Sequence, residues 1–144
     1  MVNFQWLTMR IQEEKDRRLK VERTLARLPD ALDEVFRELD NCMKFYTEAF
    51  GTETARLELL ESKLRISVRE QKDGQWQECG AVDVTAVPAL PGFRIERAGQ
   101  ETVDVVIGLL PDDKLYYRDE DHYITMEDLT RRILDRTLFP KLKD

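Results

Sequence analysis

The sequence predicts an α+β fold: two N-terminal helices, an antiparallel sheet, and a C-terminal helix, with helices covering one face of the sheet. Three observations carry this. The first fifty residues follow a helical period, the next seventy alternate as strands do between short turns, and a last amphipathic stripe ends at a proline. At 144 residues the chain fits one domain, 1–144, large enough to bury a core without metal or disulfide.

Stepping alternately by three and four from Phe4 reaches Leu7, Ile11, Glu14, Arg18, Val21, Leu25 and Leu28. The same register continues through Leu32, Val35, Leu39, Cys42, Tyr46 and Ala49. Glu14 and Arg18 are its only charged members, and both fall in the charged run 13–18. Such a register needs a partner surface, which a helix, another chain or a sheet can provide. Pro29 divides the region, because a proline inside a helix removes a hydrogen bond and clashes with the preceding turn, whereas at a helix start it costs almost nothing. The expectation is helix 1 over 1–28 and helix 2 over 29–51, with Gly51 as the C-terminal cap. A single kinked helix is the alternative.

Between 54 and 119 the period becomes two. Leu64, Ile66 and Val68 alternate with Arg65, Ser67 and Arg69. The segment 54–62 reads equally as strand or helix, since its apolar residues change phase. Asp73-Gly74 is a hairpin signal. Trp76, Val82, Val84 and Ala86 are expected on one face of the next strand. After the loop Pro88–Gly92 come a strand with Phe93 and Ile95, then one with Val103, Val105, Ile107 and Leu109, and then one with Leu115 and Tyr117. Short turns between consecutive strands imply antiparallel pairing, in about five strands. The final helix is expected over 125–139. Thr125 and Asp128 form its capping box, Met126, Leu129, Ile133, Leu134 and Leu138 its apolar stripe, and Pro140 its stop.

Composition narrows the function. With 36% charged residues and a net charge of −6, the chain reads as a well-solvated protein that binds neither nucleic acid nor an anionic membrane surface. Cys42 and Cys79 have no metal-ligand spacing and are expected to be reduced thiols. The N-terminus lacks the pattern of a signal peptide, and no apolar run reaches the ~20 residues of a membrane span, so the expected location is cytoplasmic.

The densest chemistry lies in residues 116–123, around the sole histidine. Here Tyr116, Tyr117, Asp119, Asp121 and His122, with Trp76, are the candidates for a ligand-binding or enzymatic cup between sheet and helices. Read structurally, the same residues are a polar turn before a helix N-terminus, where carboxylates are favoured. A calcium loop beginning at Asp119 would need glycine at Ile124 and glutamate at Thr130. A magnesium site would require the Asp112-Asp113 turn to lie beside Asp119 and Asp121. Neither a nucleophile elbow, a phosphate loop nor a dinucleotide fingerprint occurs, so no catalytic residue, metal or cofactor is assigned. The acids that crowd 99–128 give one end of the sheet a negative field. The reading is therefore a non-catalytic protein–protein interaction or oligomerisation module. It is expected to be a homodimer, or to bind a partner protein, through the N-terminal helices. Phe4, Trp6, Leu7, Ile11, Val21, Leu25 and Leu28 are the expected interface.

Overall fold

The computed structural model describes residues 4–140. The first three residues of the 1–28 helical segment lie outside it. Helix α1 runs Gln5–Ala26 and α2 Leu28–Phe50. They are joined through Arg27 alone, so they form one bent helix, not two separated ones. The bend is where proline demands it. Pro29 occupies the first turn of α2 and has no N–H to donate, while the Arg27 N–H bonds Thr24 O at 3.0 Å, one residue tighter than an α-turn. Gly51, at φ 111°, closes α2.

Seven strands follow, where the sequence suggested about five: β1 Ala55–Leu60, β2 Lys63–Lys72, β3 Gln75–Val87, β4 Gly92–Glu96, β5 Val103–Leu109, β6 Leu115–Asp119 and β7 His122–Ile124. The ambiguous segment 54–62 is mostly strand β1. Its apolar phase breaks because a two-residue turn at Glu61 and Ser62 sends the chain straight back into β2. Strand β7 was missed because three residues are too short to show a period. All neighbours pair antiparallel in chain order, a seven-stranded meander. Asp73 and Gly74 both adopt positive φ, as the hairpin turn requires. Helix α3, Met126–Leu138, starts with the expected capping box: Asp128 N–H donates to Thr125 Oγ1 at 3.1 Å.

The core lies on one face. Leu64, Ile66, Val82, Val84, Phe93, Ile95, Val105 and Ile107 point inward from the sheet and meet Ala31, Val35 and Leu39 of α2 and Leu129 and Ile133 of α3. The opposite face carries cross-strand ion pairs, Arg65 with Asp83 at 3.1 Å and Arg94 with Asp104 at 3.0 Å. Arg97 ties α3 to the sheet by donating to the Thr137 hydroxyl at 2.9 Å and to the backbone carbonyls of Arg132 and Ile133.

A bulge corrects the expected position of Trp76. Val68 pairs with Gly80 but Arg69 pairs with Glu78, so Cys79 is an extra residue that reverses the alternation. Val82 and Val84 face the core, whereas Trp76 is turned to the outer face, where the Arg69 guanidinium lies 5.7 Å from its ring centre.

Candidate functional site

The cluster around His122 comes apart when its residues are placed. Tyr117 points inward, almost fully buried, and its hydroxyl donates to Glu34 Oε1 of α2 at 3.1 Å. Burial, with the Glu34 carboxylate beside it, pushes the Tyr117 phenol well above its ordinary range. Tyr116 is on the other face, its ring tilted against that of Tyr123 with centres 5.1 Å apart and lying over Gly108, where a Cβ would meet its ring at 2.2 Å. Asp119 turns back to α3 and pairs with Arg132. Glu120 and Asp121 make the β6–β7 turn, with Glu120 at φ 54°, and His122 begins β7 in solvent. Trp76 is three strands away on β3, roughly 14 Å across the sheet at a strand spacing of ~4.8 Å.

The two acidic turns are also apart. They stand at opposite ends of β6, and each has its own cationic neighbour: Asp113 takes Arg23 at 2.5 Å, and Asp119 takes Arg132. Among the described residues no group of three or more His, Cys, Asp and Glu side chains is placed to hold a metal ion. A hollow of about 400 Å³ beside α3 is lined by Arg97, Arg131, Arg132 and Arg136 with Asp119 and Asp135. Of the six residues expected around a cup, it contains Asp119 alone. Its Arg97 and Arg132 are committed to the α3 backbone and to Asp119.

Helix α1 is the feature that stands out. Every residue from Phe4 to Arg23 is exposed except the half-buried Glu14, and Thr24 is the one buried residue of the whole helix. Phe4, Trp6, Leu7, Met9, Ile11, Leu19 and Val21 all present apolar surface to solvent, with Trp6 65% exposed. Twenty-two residues at about 1.5 Å each make a rod of roughly 33 Å, most of which the domain leaves uncovered. The register that forms the core in α2 therefore buries almost nothing in α1. Leu25 is half-buried, and Leu28 corrects the expected interface, since it is the first residue of α2 and is buried in the chain's own core.

Local ion pairs support the exposed rod. Glu14 accepts from Arg17 at 2.7 Å and from Arg18 at 2.8 Å, and these bonds hold its carboxyl down to about 2. The end of α1 is fixed to the β5–β6 turn. There the Arg27 guanidinium donates to the Asp113 carbonyl at 2.7 Å, beside the Arg23–Asp113 pair. Asp113 can serve both because Leu110–Asp113 is a tight turn with Asp113 at φ 65°. The negative field read from 99–128 thus meets, in part, the basic end of the chain's own first helix. Leu19 and the Arg23–Asp113 anchor escaped the sequence reading. Leu19 is off the three-four register, and the anchor joins residues ninety positions apart.

No protein-family model, curated protein or solved structure matches this chain. Among the described residues no helix is long and apolar enough to cross a membrane.

Proposed function

We propose that this chain is a non-catalytic protein–protein interaction and oligomerisation module whose contact element is α1, and that it acts as a homodimer. One observation carries the reading: a helix of 22 residues buries only Thr24 of its own while holding six large apolar side chains in water, with Phe4 at its N-cap a seventh. Most helical stability in proteins comes from packing an apolar face. Contiguous exposed apolar surface on a soluble protein marks an interaction site. Full burial of a Leu, Ile or Val side chain contributes roughly 1.5–3 kcal/mol, and Leu7, Ile11 and Val21 are 39%, 47% and 38% exposed, so covering them in both copies contributes roughly 4–7 kcal/mol toward association. A cytoplasmic location belongs to the same proposal, in keeping with Cys42 and Cys79, which form no disulfide.

The second reading, a cup around His122, loses support from the placement of its residues on opposite faces and separate strands. The test is the mass of the full chain by light scattering over a range of concentrations, beside a Leu7→Glu/Ile11→Glu variant. The expected result is a dimer that the double substitution converts to a monomer with unchanged circular dichroism. A single-chain mass throughout, or a dimer indifferent to the substitutions, refutes the reading.

A further inference from the structure

The two charged residues that interrupt the α1 register are placed symmetrically. Leu7 and Leu25 lie nine residues either side of Asp16, Ile11 and Val21 five, and Glu14 and Arg18 two. We propose that α1 pairs with α1 of a second copy of this chain in antiparallel orientation, with the two-fold axis passing beside Asp16. This deepens the reading of α1 as the contact element and rests on it.

In that arrangement Leu7 meets the second copy's Leu25, Ile11 meets its Val21, and Glu14 meets its Arg18. Symmetry repeats each contact. A parallel pair would instead set Glu14 against Glu14 and Arg18 against Arg18, two like-charge layers at the centre of the seam. An isologous contact must be self-complementary, and here only the antiparallel choice makes the charges so. Arg18 donates to Glu14 of its own chain through Nε, which leaves its terminal guanidinium nitrogens to reach across.

The globular parts leave most of the seam open: Leu7, Ile11 and Val21 are exposed, and Leu25, at the end nearest its own domain, is half-buried. Helix α1 faces its own domain with Arg23 and Arg27, which hold the β5–β6 turn. At about 100° per residue, Val21 and Leu25 lie some 120–160° round the helix from those two residues. Each domain therefore sits on the outer side of the helix pair, and the two domains are at opposite ends. The seam from Leu7 to Leu25 is about 27 Å long at ~1.5 Å per residue, enough for a coiled-coil contact of two to three heptads.

The test uses full-length chains with Cys42→Ala and Cys79→Ser, carrying either Ile11→Cys or Val21→Cys, oxidised alone and as an equal mixture. The expected result is a disulfide-linked dimer at least tenfold more abundant in the mixture than in either variant alone. Self-linked Ile11→Cys in place of the mixed product shows a parallel seam. That overturns the inference while leaving α1 as the contact element. A charge exchange checks the same point without cysteine. Glu14→Arg should weaken the dimer at least tenfold, and adding Arg18→Glu should restore it. A dimer insensitive to Glu14→Arg, or not restored by the second change, refutes the antiparallel pairing. Loss of the dimer in Leu7→Glu/Ile11→Glu would still stand as separate support for α1.

Discussion

Two leucine-to-alanine substitutions separate a helix that belongs to the core from one that does not. Leu39 of α2 is fully buried, and Leu19 of α1 is 56% exposed. Truncating a buried leucine removes its transfer free energy and leaves a cavity, for a loss of roughly 2.7–5 kcal/mol. Leu39 lies between α2 and the inner face of the sheet, so Leu39→Ala should cost about 3–4 kcal/mol. At ~2–4 °C per kcal/mol for a domain of this size, the melting temperature should fall by about 10 °C. Less than half of Leu19 is covered, and it borders an open hollow with Leu109, Leu110 and Pro111, so no closed cavity forms. The lost burial is about 1 kcal/mol or less, and alanine returns a few tenths through its higher helix propensity. Urea unfolding at several protein concentrations measures both. Leu19 also lies to one side of the Leu7–Leu25 seam, so its effect should not depend on concentration. A loss of 2 kcal/mol or more in Leu19→Ala, at all concentrations, would show that α1 packs as core and would refute the assignment of its apolar side chains to an interface.

Gly92→Ala should be among the most damaging single changes, costing about 3 kcal/mol or more or giving insoluble protein. Its Cβ would stand 2.0 Å from the Val105 carbonyl oxygen, a backbone atom inside the β4–β5 ladder. Gly108→Ala should be milder, because the obstruction there is the outer end of the Tyr116 ring, which can swing away; thermal melts of the two variants compare them directly. Thr125→Ala should cost about 1 kcal/mol by removing the hydroxyl that caps Asp128 N–H, measurable by denaturant titration. Tyr117 makes stability fall in alkali. Below about pH 10 both folded and unfolded chains keep the phenol proton. Above it the unfolded chain releases the proton while the folded one, with its raised phenol, retains it. Stability then drops by about 1.4 kcal/mol per pH unit until the folded phenol ionises. Tyr117→Phe should remove that component, and an equal slope in both proteins between pH 10 and 12 would contradict it.

Much of the architecture was legible because local chemistry dictates it. The alternation of Leu64, Ile66 and Val68, the Asp73-Gly74 turn, the Thr125–Asp128 cap and the stop after α3 each follow from backbone preferences that act within a few residues. The face-switch of Trp76 was not legible, because a bulge adds one residue without changing composition and is defined only by the partner strand. That Tyr116 and Tyr117 take opposite faces follows from their adjacency along a strand, whereas the pairing of Asp119 with Arg132 of α3 was not legible, because it depends on where α3 packs. The three-four register running from Phe4 to Ala49 was determined by the sequence alone. Which half of it meets a sheet and which half is left in water was decided by the tertiary structure. Pro29 bends the rod so that α2 lies on the sheet, while α1 leaves the domain with Leu7, Ile11 and Val21 uncovered. Periodicity shows that a helix has an apolar side; only the position of every other element shows whether anything in the same chain is there to cover it.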